Sequence, residues 1–78
     1  MRRYFFNVHN DLDTIDHEGM EFADLGAAIA HARIAARSLA ADSVRQGHLV
    51  GHHRVEIVDG DGTLLHCVRF DEAVDIQP

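Results

Sequence analysis

The chain has no lysine, a single cysteine, a single proline and no apolar run long enough to cross a bilayer. One cysteine can close no internal disulfide and build no thiolate cage, so a reducing cytoplasm is the expected setting. The longest alanine-rich stretch, Ala23 to Ala41, is interrupted by Asp24, His31, Arg33 and Arg37, and no membrane partner is expected. Arg2-Arg3-Tyr4-Phe5 has the arginine pair of a twin-arginine signal, but the apolar run behind it stops at Val8. Positive charge is scarce as well: seven arginines face thirteen acidic residues, a net charge of −6. That balance argues against a nucleic-acid backbone as the main partner.

What is present is enough for one domain spanning 1–78. With 46% hydrophobic and 26% charged residues the chain is too apolar to be a disordered tail. At this size folding buries only about 60–65% of the chain's surface, so a partner surface is a reasonable expectation.

Tyr4, Phe6 and Val8 alternate with Phe5, Asn7 and His9, the period of a half-buried strand. Asn10-Asp11-Leu12-Asp13 suits a turn, Thr14 to His17 reads as a short return strand, and Met20-Glu21-Phe22 continues as extended chain after a bend at Glu18-Gly19. Asp24 is the expected N-cap of a long helix that runs from Leu25 to about Gln46 and stops at Gly47. Its apolar stripe is Leu25, Ala28, Ile29, Ala32, Ala36, Leu39 and Ala40, mostly alanine, which lets the helix lie close on a sheet. Arg54 to Val58 and Thr63 to Phe70 read as two strands about the turn Asp59-Gly60-Asp61-Gly62. Leu64, Val68 and Phe70 are assigned to the core face and Leu65, Cys67 and Arg69 to the other. Ala73, Val74 and Ile76 are available to pack along an edge.

The expected fold is therefore α+β: a ββαββ order forming an antiparallel sheet with one long helix on one face. One helix cannot cover both faces. The uncovered face should carry Phe5, Val58, Leu65 and Cys67, and Ile34 projects away from the helix's core stripe as a second contact.

Arg3-Tyr4-Phe5-Phe6-Asn7-Val8, Asp16-His17-Glu18-Gly19-Met20-Glu21-Phe22 and Asp24-Leu25-Gly26-Ala27-Ala28 resemble a family of short bacterial proteins, domain of unknown function 6894. Arg54-Val55-Glu56-Ile57-Val58-Asp59, Gly62 and Phe70-Asp71-Glu72-Ala73 fit the second half of the same pattern. Similar proteins tend to carry a glycine in the first turn, where this chain has Asn10-Asp11-Leu12-Asp13. The resemblance implies the element order and a bacterial cytoplasmic setting and brings no activity with it. A looser likeness is to HicB-type antitoxins, which also run two strands into a helix; their proline-rich helix entry and a separate DNA-binding segment are missing here.

The residues that could carry chemistry do not combine into a site. His48, His52 and His53 share one loop, yet adjacent side chains on extended backbone point apart and the spacing matches no zinc motif. Asp11 and Asp13 begin a calcium-loop spacing, but Ile15 and Asp16 occupy the positions of a third ligand and of the required glycine. Cys67 and His66 are neighbours on a strand and face opposite sides, so they cannot share a proton. No cofactor, metal or catalytic residue is expected. The expectation is a non-enzymatic protein-interaction module, a homodimer built through the uncovered sheet face or a sheet edge, with an antitoxin-like inhibitor of a partner protein as the alternative.

Overall fold

A computed structural model describes residues 1–75 and 77, so the edge-packing role read for Ile76 lies outside the described residues. Strand β1 (Arg2–His9) is the longest strand and pairs on both sides. One side meets the short strands β2 (Asp13–Thr14) and β3 (Met20–Phe22); the other meets β4 (Arg54–Val58), which pairs in turn with β5 (Leu64–Arg69). All pairings are antiparallel. Between the two hairpins runs helix α1 (Leu25–Arg45), and a single-turn helix α2 (Phe70–Ala73) follows β5. The fold is α+β, with one long helix across one face of an open antiparallel sheet.

The helix ends follow from the residues expected there. Asp24 Oδ1 accepts the Ala27 amide at 2.8 Å, satisfying one of the donors a helix start leaves free. At the other end Gly47 turns to φ +95°, its amide donating to Val44 O and the next amide, of His48, to Ser43 O. This paired closure needs a left-handed residue, which glycine supplies without strain. On the buried side Ala28, Ala32, Ala36 and Ala40 meet Tyr4, Val55, Ile57, Val68 and Phe70. Methyl-sized side chains bring the helix backbone down onto the sheet, and the larger strand residues fill the core.

Two assignments on β5 change places. Leu64, expected in the core, is 54% exposed, whereas Leu65, expected on the uncovered face, packs against the core cluster. The cause is a register shift: Ile57 pairs with His66 but Val58 pairs with Leu64, so Leu65 is the additional residue of a bulge and the alternation slips by one. The return strand is also shorter than Thr14 to His17, being only Asp13–Thr14, and Phe70 is buried as the first residue of α2 rather than as the end of a strand.

Candidate interaction surface

The uncovered face is laid out by the β1–β4–β5 register. Phe5, Val58 and Leu64 form one row, Asn7, Glu56 and Cys67 the next, and His9, Arg54 and Arg69 the third. Phe5 and Val58, both expected on this face, are direct ladder partners and half-buried. With Ile15, Asp16 and His17 they line a shallow depression of about 280 Å³. Cys67 lies on the same face but beside Glu56, away from the Phe5 row. Leu65, half-buried, turns to pack against the core cluster, and Ile34, 63% exposed on α1, belongs to a different surface. The apolar part of the face is thus one end of it.

The rest is polar and internally bonded. His9 Nε2 lies 2.8 Å from Glu56 Oε1, His9 Nδ1 lies 3.0 Å from Asp13 Oδ1, and Arg54 Nε donates to Glu56 Oε2 at 3.0 Å. Partial burial pushes the Glu56 carboxyl up, but hydrogen bonds from Arg54 and His9 outweigh it and hold it below its ordinary value. Arg69 forks onto Asp71 at 2.8 and 3.1 Å. Burial, with the Glu56 charge nearby, pushes the Cys67 thiol up, which makes it a poor nucleophile. The sequence carries the charges of Arg54 and Glu56 at alternate positions, a readable sign of a polar face; their closure with His9 depends on the register.

The two edges of the sheet differ. On the β1 side, the ladder steps from β3 to β2 with Ile15–Gly19 looped out between them. The Phe6 amide at that junction donates to Asp16 Oδ2 at 3.1 Å, and the Asp16 amide donates to Asn7 Oδ1 at 2.9 Å. Asp16 Oδ1 also accepts the Glu18 and Gly19 amides at 3.0 Å. Burial raises the Asp16 carboxyl, but the amides of Gly19, Phe6 and Glu18 together hold it below its ordinary value. This edge is closed by side chains and by short strands. On the other side the outer edge of β5, beyond its ladder with β4, meets no further strand among the described residues.

The histidine loop folds over Asp11: His48 Nε2 is 3.6 Å and His53 Nε2 4.0 Å from its carboxylate. Among the described residues no three histidine, cysteine or acidic side chains are grouped to hold a metal ion. His53 is buried edge-on against Phe70, and its Nδ1 is buried without a hydrogen-bond partner among the described residues. No helix among the described residues is long and apolar enough to cross a membrane.

The family model for a domain of unknown function (DUF6894) matches residues 3–71, from the first residues of β1 into α2. The chain belongs to this family. The match takes in α1 and all of the sheet but Arg2, and with them both the Phe5–Val58 row and the β5 edge. No curated protein and no solved structure matches the chain.

Proposed function

We propose that this DUF6894 member is a small non-enzymatic interaction module of the bacterial cytoplasm that self-associates through its open sheet. The observation that carries the reading is the inequality of the two sheet edges. Asp16 and two short strands close the β1 side, while β5 presents a six-residue strand with no proline and a single charge, at its last residue. Proteins that must stay monomeric usually guard such an edge with charge, proline or a covering element. The Phe5, Val58 and Leu64 row adds apolar area next to that edge. The polar rows make burial of the entire face costly, which favours the edge over the face as the route. Burial pushes the Cys67 thiol up and the Phe5–Val58 depression is open and shallow, a setting for contact more than for covalent chemistry.

Sedimentation velocity from low to high micromolar concentration tests the reading. A dimer population growing with concentration is expected, and a monomer throughout overturns it. The alternative, an antitoxin-like regulator, uses the same open strand to receive a strand from another protein. It takes over if the purified chain is monomeric and a neighbouring gene product binds it with protection of β5 amides.

A further inference from the structure

Resting on the self-association reading, we infer that the second copy docks antiparallel on β5 with the two-fold axis at Cys67, whose amide and carbonyl pair with the same groups of Cys67 in the other copy. The direction of each backbone group on β5 follows from one bond. The Phe70 amide donates to His53 O at 2.8 Å. The ladder runs on through Arg54–Arg69, Val55–Val68, Glu56–Cys67 and Ile57–His66. Hydrogen-bonded and non-bonded pairs alternate in an antiparallel ladder. Val68 and His66 therefore turn their backbone groups toward β4, and Cys67 and Arg69 turn theirs outward.

The two outward residues are not equivalent. The Arg69 amide is already met by Glu72 Oε1 at 3.4 Å, which caps the strand at that end. Beyond His66 the bulge at Leu65 disturbs the ladder at the other end. Cys67 is left as the residue with both an amide and a carbonyl facing out from regular strand. One donor and one acceptor on one residue are self-complementary: a two-fold axis there closes both bonds and leaves neither group unpaired. The neighbouring charge does not oppose this, because Arg69 is neutralised by Asp71 on its own chain. The axis stands perpendicular to the sheet, so both α1 helices fall on the same face of one continuous sheet and the two Phe5–Val58–Leu64 rows share the opposite one.

The register brings the Cys67 Cα atoms of the two copies to roughly 5.5 Å, the spacing of a hydrogen-bonded pair. A short bismaleimide added to the folded chain at mildly alkaline pH, and given long enough for a thiol whose thiolate is disfavoured, should link Cys67 to Cys67, and denaturant should abolish the link. Hydrogen exchange supplies a measurement without mutation: the Cys67 amide should slow at least tenfold as concentration rises through the dimer transition, while the capped Arg69 amide changes little. Cys67→Pro removes the outward donor at an edge position where proline is tolerated, and should weaken the dimer at least tenfold. Cys67→Ser keeps the backbone and should leave it intact. A dimer that shows no cross-link and no concentration-dependent protection at Cys67 overturns the β5 register and leaves self-association standing through another surface. A chain that is monomeric at every concentration overturns both.

Discussion

His9 reaches diagonally across the β1–β4 ladder to Glu56, Nε2 to Oε1 at 2.8 Å, although its own ladder partner is Arg54. Arg54 bonds the second oxygen of the same carboxylate, so Glu56 is held from both sides in the centre of the face that the helix leaves open. The carboxylate's bonds are made within the chain, and the polar middle of the sheet is stable with water above it. A partner that covered this region would have to remove water from a charged cluster and offer nothing in return. The open edge and the apolar row beside it carry no such penalty.

This arrangement predicts an acid-sensitive contribution to stability. The Glu56 carboxyl lies below its ordinary value of 4.5 in the folded chain. Its contribution is thus complete above the unfolded value and is lost as pH falls through the folded one. Glu56→Gln should cost about 1 kcal/mol at neutral pH and flatten the acid limb of the stability curve. Urea unfolding of both chains across the acid range measures this; parallel curves would show that the His9 and Arg54 contacts contribute nothing.

Asp16 should matter more than its position in a loop implies. Its carboxylate accepts the amides of Phe6, Glu18 and Gly19, and without it the Phe6 amide at the junction of β2 and β3 has no acceptor. Asp16→Ala should destabilise the fold by about 2 kcal/mol, and Asp16→Asn, which keeps one acceptor oxygen, by roughly half of that. Loss of exchange protection should concentrate at Phe6 and in β3. Uniform loss across the sheet would instead mark a general destabilisation.

Gly19 tests the same junction by sterics. It sits at φ +71°, and a β-carbon there would lie 2.8 Å from the Tyr4 carbonyl oxygen and 2.9 Å from Arg3 Cγ. Gly19→Ala must therefore strain its own dihedral and displace strand backbone, with an expected cost of about 2–3 kcal/mol. Gly47→Ala meets only the dihedral penalty, since nothing lies within 4 Å, and should cost about 1 kcal/mol. Equal melting temperatures for the two variants would refute the clash.

Some of this architecture was legible in residue order because the signals are local. Asp24, the alanine stripe and Gly47 mark the helix through capping and periodicity, which need no partner to be read. Phe5 and Val58 could be put on one face by alternation alone, and the structure places them opposite one another. Leu64 and Leu65 could not be told apart, since the slip between Ile57 and Val58 is a property of the pairing and not of either strand. Helix α2 has four residues, too few for a periodic pattern, and it forms where the Phe70 ring is anchored in the core. The Asp16 plug was hidden for a related reason: its amide partners come from β1 as well as from its own loop, and an acidic residue in a polar stretch reads as solvated turn.

The alanine stripe leads to a prediction about the layer itself. Ala32 and Ala36 are fully buried between α1 and the sheet, so there is no room beneath them for a longer side chain. Ala36→Leu adds apolar volume and raises hydrophobicity, yet it must lift the helix from Val55, Ile57 and Val68 or drive a side chain off its rotamer. A loss of about 1–3 kcal/mol is expected, with the helical circular dichroism retained until unfolding. Ile34→Ser, on the exposed side of the same helix, removes apolar surface without entering the core and should change stability by less than about 0.5 kcal/mol. Were Ala36→Leu to stabilise the chain, the close seating of α1 on β4 and β5 would be wrong, and the account of why this helix is built from alanine would fail with it.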